Sequence, residues 1–184
     1  YAKVLAIFKS DTAAQADYEK TNKDWLAGEI KTIEKLLAEK KLTAEKTPSG
    51  AFVQMLTPGT GNAIDSGKYV SVRYTGVSWS GKKFDSNTDT SFGIKPPMPF
   101  TVGSGNMIKG FDEAVKFMKL GSKAKVYIPS VLAYAGQPNS PLIKPYEILV
   151  FDIEIVDVKD KEPTRPELMQ QQGVQKIDAP QSNK

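Results

Sequence analysis

The sequence predicts an α+β chain in which an antiparallel twisted sheet wraps on one short helix, behind a helical N-terminal segment. Three observations carry this. Residues 22–42 repeat apolar side chains every three to four positions; from residue 51 onward short runs rich in Val, Ile, Tyr and Phe alternate with Pro-Gly and Ser-Gly turns; and a single helix-like stretch, Phe111 to Leu120, lies among those runs.

In the first segment Leu26, Ile30, Ile33 and Leu37 form one stripe, flanked by Trp25 and Leu36, while Lys31, Glu34, Lys35, Glu39 and Lys40 fill the opposite face. Asn22 or Asp24 is the expected cap, with an earlier helix at 11–20. The stripe has two readings: packing on its own domain, or a homodimer interface through the N-terminal helices. Thr47-Pro48-Ser49-Gly50 then breaks the helix, since proline lacks the donor and fixes its backbone.

Strands are expected at Ala51–Met55, Tyr69–Val77, Lys123–Ile128 and Ile148–Val158. The last is the clearest, because Leu149, Phe151, Ile153 and Ile155 alternate with Asp152 and Glu154, the period of a strand with one buried face. Gly110 opens the expected helix, Asp112 and Glu113 sit in its first turn, where acids oppose the dipole, and Gly121 ends it. After Lys159 the prolines, Gly173 and a glutamine run leave little to bury. The expected division is therefore a helical segment at 1–48, a folded domain at 49–158 and a polar tail at 159–184.

Composition excludes many functions. The chain has no Cys and no His, which removes thiol nucleophiles, disulfides, Cys/His zinc sites and imidazole bases. Neither an EF-hand pattern nor a Walker-type loop occurs, and Gly103-Ser104-Gly105 with Gly110 fits no dinucleotide fingerprint. The net charge of +4 is spread evenly, and the longest basic runs are the pairs Lys40-Lys41 and Lys82-Lys83, so nucleic acid is not an expected partner. No apolar run reaches the roughly 20 residues that span a bilayer. The start at Tyr1 is read as a trimmed leader, which with the missing cysteines is compatible with an exported protein; the cytoplasm is the other reading.

Seven strings then run in one order: Val72-Arg73-Tyr74-Thr75-Gly76; Gly81-Lys82-Lys83-Phe84-Asp85-Ser86; Pro99-Phe100-Thr101-Val102-Gly103; Met107-Ile108-Lys109-Gly110-Phe111-Asp112-Glu113-Ala114-Val115; Ala124-Lys125-Val126-Tyr127-Ile128-Pro129; Leu132-Ala133-Tyr134; and Leu149-Val150-Phe151-Asp152-Ile153-Glu154-Ile155. In content and order they resemble the FKBP family of peptidyl-prolyl cis–trans isomerases, in its bacterial form with a helical N-terminal extension, which implies a bacterial cell envelope or periplasmic protein, lipid-anchored before trimming.

The resemblance implies an isomerase acting on proline-containing polypeptides, with macrolides as a second ligand class and no cofactor or metal. It implies a catalytic set of Tyr134, Asp85, Ile108 and Phe111, and substrate-binding walls at Tyr74, Phe84, Met98, Met107, Leu142, Ile143 and Phe151. Phe111 would be the floor, the Ile108 N–H and Tyr134 hydroxyl would bind substrate carbonyls, and Asp85 would pair with Tyr74. The chain departs from the family pattern in four places. Phe111 stands where the family usually has Trp, Met98 where an aromatic is common, Ala135 where glycine is usual, and the segment 87–99 is longer than in minimal members. Residue chemistry agrees with the implied site, because a prolyl ring is a compact apolar object that calls for aromatic walls and few polar groups. The alternative of a different class is a non-catalytic chaperone or binding module using the same cleft.

Overall fold

The computed structural model describes residues 10–164. Helix α1 spans Asp11–Glu39, and strands β1 (Glu45–Lys46), β2 (Phe52–Thr57), β3 (Tyr69–Ser78), β4 (Lys83–Ser86) and β5 (Met98–Thr101) follow. Helix α2 (Lys109–Val115), β6 (Lys123–Ile128) and β7 (Leu149–Lys159) complete the order. The strands form one sheet in the order β1-β2-β6-β7-β3-β4, with β5 also on β3, and every pairing is antiparallel.

The pleat separates two cores. Val53, Val126, Phe151 and Ile153 point to one face, where Phe111, Ala114 and Val115 of α2 join them in the main core. Phe52, opposite Tyr127 in the register, points to the other face and packs with Ile33, Leu37 and Ile148. The sheet thus carries a helix on each face, α2 inside its curve and α1 behind it. Ile33 is fully enclosed there, and burying such a side chain contributes about 1.5–3 kcal/mol.

The structure corrects several details. Residues 11–39 form one helix rather than two; Ser10 is its cap, its Oγ accepting from the Ala13 N–H at 3.2 Å, and Asn22 and Asp24 lie in the interior. Helix α2 starts at Lys109 and ends at Val115; Phe117 and Met118 donate to carbonyls three residues back, so the predicted last turns tighten into turn geometry. The expected division at 48/49 falls between paired strands, because β1 from the N-terminal segment binds β2. The apolar stripe of α1 is taken up by its own sheet. Most of the expected tail lies outside the described residues. Among the described residues no helix is long and apolar enough to cross a membrane.

Candidate active site

Strands β3 and β7 and helix α2 meet at a concavity whose shape follows from one glycine and one bulge. Gly76 pairs with Phe151 across β7 and with Asp85 across β4. The next β4 partner jumps to Val77 with Lys83, so Phe84 is the extra residue of a bulge, a feature that re-aims side chains. Gly76 has no side chain to block the space above it, and Phe84 and Phe151 close there edge to face, 5.5 Å apart at 85°. Phe151 meets Phe111 at 5.3 Å and 87°, and Tyr74 meets Phe111 at 6.3 Å and 85°. Perpendicular rings of this kind form stiff walls.

The pocket they enclose measures about 320 Å³. It is lined by Tyr74, Phe84, Asp85, Met98, Met107, Ile108, Phe111, Tyr134 and Phe151, nine of the eleven expected residues. Leu142 and Ile143 do not line it: Leu142 points outward, 43% exposed, and Ile143 is buried in the main core. Two asparagines that sequence reasoning did not select, Asn106 and Asn139, are on the wall. A larger hollow of about 610 Å³ on the α1 side of the sheet, floored by Leu36, Leu42 and Trp79, contains none of the eleven.

Five of the lining residues carry polar groups: Tyr74, Asp85, Asn106, Tyr134 and Asn139. The Tyr74 hydroxyl donates to Asp85 Oδ2 at 2.6 Å, and the other carboxylate oxygen accepts the Ser86 N–H at 2.8 Å. Burial, reinforced by that hydrogen bond to Asp85, raises the pKa of Tyr74 well above a free phenol's. Burial also raises Tyr134, against the opposing effect of a hydrogen bond with Asn139. Both phenols stay protonated at neutral pH and present O–H groups. Ile108 caps α2, its carbonyl accepting the N–H groups of Phe111 and Asp112, so its own N–H lies outside the helix ladder on a residue that lines the pocket.

A residue not among the expected site residues holds this edge in place. Asn87 is buried, accepts the Tyr74 N–H through Oδ1 at 2.8 Å and donates through Nδ2 to the Val72 carbonyl at 2.9 Å. It thereby clips the long 87–99 segment to β3. The only signal was its place behind Asp85-Ser86, where polar residues also serve ordinary turns. Ala135, which follows Tyr134, has φ +48°. That left-handed backbone explains the family's glycine, and an alanine there costs about 1–2 kcal/mol.

Residues 61–156 match the sequence profile described as FKBP-type peptidyl-prolyl cis-trans isomerase. The chain is 37% identical over 109 residues to the FK506-binding protein of Neisseria meningitidis serogroup B, covering 59% of this chain and 96% of that one. It is 37% identical over 131 residues to FK506-binding protein 4 of Mycosarcoma maydis, covering 70% of this chain and 33% of the relative, so it spans about a third of that longer protein. Among solved structures, the peptidyl-prolyl cis-trans isomerase of Pseudomonas syringae pv. tomato aligns with a TM-score of 0.57 at 33% identity, over 76% of this chain and 92% of that one. FkpA from Escherichia coli aligns with a TM-score of 0.60 at 34% identity, over 80% and 65%. Profile, relatives and fold agree with the pocket, and the chain belongs to the FKBP-type peptidyl-prolyl cis-trans isomerase family.

Proposed function

We propose that this pocket accelerates rotation about Xaa-Pro bonds in polypeptides. The observation that carries the reading is a compact cavity walled by crossed aromatic rings, with the Tyr74–Asp85 pair and Tyr134 supplying polar groups in its lining. The Xaa-Pro bond turns over a barrier of about 18–20 kcal/mol. Turnover of roughly 1 to 1000 per second needs that barrier lowered by only about 3–7 kcal/mol. No bond breaks. In the twisted transition state the amide loses resonance and its carbonyl loses polarity, so an apolar enclosure favours the twisted form over the planar one.

Phe111 forms the floor under the prolyl ring, and Tyr74, Phe84, Met98, Met107 and Phe151 form the walls. The Ile108 N–H and the Tyr134 hydroxyl hold the flanking carbonyls, and Asp85, tied to Tyr74, supplies the polar edge. None of these roles requires proton transfer, which suits a chain without histidine or cysteine. Macrolide ligands of the kind named in the FK506-binding relatives would occupy the same walls. The compartment we propose is the bacterial cell envelope, which fractionation of the native host tests.

The test is cis/trans exchange of a short Xaa-Pro peptide with and without catalytic amounts of the protein. Acceleration is expected. A folded protein that binds the peptide and leaves its exchange rate unchanged would establish the binding module instead.

A further inference from the structure

Helix α1 runs behind the sheet, yet two of its residues reach around to the loop that carries Tyr134. Glu29 is buried, 6% exposed, and its Oε2 accepts both the Ser130 N–H at 2.7 Å and the Ser130 hydroxyl at 3.0 Å. Ser130 is itself 1% exposed and opens the 3₁₀ turn Ser130–Leu132, directly before Ala133 and Tyr134. One helical turn earlier on α1, Trp25 stacks on Tyr146 with ring centroids 4.8 Å apart at 12°.

Tyr146 closes the other end of the same loop. Its N–H donates to the Ala135 carbonyl at 2.8 Å, and the Ala135 N–H donates to the Ser130 carbonyl at 2.7 Å. Its ring covers Gly136, where an added Cβ would come within 2.9 Å of Tyr146 Cε2. Ala135 and Tyr146 both hold positive φ, +48° and +53°, a shape that a loop keeps only when its surroundings impose it.

We propose that Glu29 and Trp25 are positioning residues for the isomerase site, stapling both ends of the 130–146 loop to α1 so that Tyr134 and Asn139 keep their place in the pocket lining. The proposal rests on the role given to Tyr134 above. Packing alone is a poor reason for Glu29. Its second oxygen, Oε1, is buried with no hydrogen-bond partner among the described residues, an expense that an aliphatic side chain would avoid. A carboxylate kept there despite this cost provides what an aliphatic cannot, an acceptor for two donors of Ser130. Both staples lie outside the span 49–158 that holds the pocket, so α1 acts on the site through the loop without touching substrate.

The test is a double-mutant cycle on the full chain, with kcat and KM read on a short Xaa-Pro peptide. Glu29→Ala is expected to lower kcat/KM on the order of fivefold, whereas Glu29→Gln, whose carbonyl can accept both Ser130 bonds, should return it to within about twofold of wild type. In a Tyr134→Phe background Glu29→Ala should add almost nothing, because the group it positions is already gone. Trp25→Ala should behave as Glu29→Ala does. Trp25 is 44% exposed, so its loss strands no buried polar group, and it carries the cycle should Glu29→Ala fail to fold. An equal loss in both backgrounds, or no loss in a folded variant, overturns the positioning role while leaving the isomerase reading intact. An active wild type indifferent to Tyr134→Phe overturns the role of Tyr134 and this inference together, and an inactive wild type overturns the functional reading itself.

Discussion

Replacing Gly76 with alanine should damage both stability and catalysis, although a backbone argument alone gives the opposite sign. Gly76 lies in the middle of β3, outside the left-handed region. Glycine in a strand interior costs about 0.5–1 kcal/mol relative to alanine, so backbone entropy favours the substitution. Space does not. A Cβ at Gly76 would stand 2.6 Å from Phe84 Cζ, 2.8 Å from Phe84 Cε2 and 2.9 Å from Phe151 Cε1. Carbon atoms settle at about 3.5–4.0 Å, which makes the shortfall about 1 Å on two rings at once. Neither ring has an easy retreat, since Phe84 abuts Phe151 and Phe151 abuts Phe111. Overpacking of this kind costs about 1–3 kcal/mol, and setting the backbone gain against it leaves a net loss of up to about 2.5 kcal/mol, with about 1–2 kcal/mol in the middle of that range. For a domain of this size that lowers Tm by about 2–8 °C. The displaced rings move into the space proposed for the prolyl ring, so kcat/KM should fall about tenfold or more. Calorimetry and peptide isomerisation on Gly76→Ala read the two effects separately. A variant as stable and as active as wild type would refute the account of how the pocket is shaped.

Other outcomes follow from the same contacts. Phe111→Ala removes a floor residue that is 1% exposed and should cost about 3–5 kcal/mol in denaturant unfolding as well as most of the activity; a loss below about 1 kcal/mol would mean that the site collapses without it. Asn87→Ala strands the Tyr74 N–H and the Val72 carbonyl, and should destabilise by about 1–3 kcal/mol for a buried group left unpaired; an unchanged urea midpoint would remove Asn87 as the clip. Activity should be nearly flat from pH 6 to 8. Tyr74 and Tyr134 are both raised by burial, so their contribution is fully present below a free phenol's pKa near 10 and is lost only as pH climbs past it; a bell-shaped profile in that window would contradict a proton-free mechanism. Burial likewise raises Glu29, more than its two Ser130 hydrogen bonds lower it. The stability tied to its neutral form is therefore complete below the ordinary carboxylate value and is lost as pH rises through the folded one. Glu29→Gln should gain Tm over wild type at pH 7 and lose that advantage near pH 4; equal gaps at both would show that Glu29 carries no such penalty.

The strongly periodic elements were legible from residues alone. In β7 the alternation of Leu149, Phe151, Ile153 and Ile155 places all four in the core, and β6 has the expected bounds, because burial on one face of a strand leaves a direct mark at period two. The stripe on α1 was equally readable, but its start was not. Asn22 and Asp24 resemble caps, and strong helix formers on both sides carry the helix through them to Ser10. The short strands β1 and β4 are held by hairpin pairing with β2 and β3, and β5 by pairing with β3 well back along the chain, rather than by their own pattern. Of the candidate site residues, those on strands and at the start of α2 line the pocket, while Leu142 and Ile143 do not. They lie in a loop, where no periodicity says which side chain turns inward. Gly76 and Asn87 escaped notice for a related reason: the first acts through a side chain it lacks, the second through bonds visible only once β3 and the long segment lie together.

The most direct measurement of the central claim is magnetisation-exchange NMR on one Xaa-Pro tetrapeptide at pH 7, with labelled protein present in catalytic amount and its amide shifts followed in the same sample. The account predicts faster cis/trans exchange together with shift changes centred on Tyr74, Phe84, Ile108, Phe111, Tyr134 and Phe151. Accelerated exchange with those residues unmoved, or shifts there with no acceleration, would contradict it.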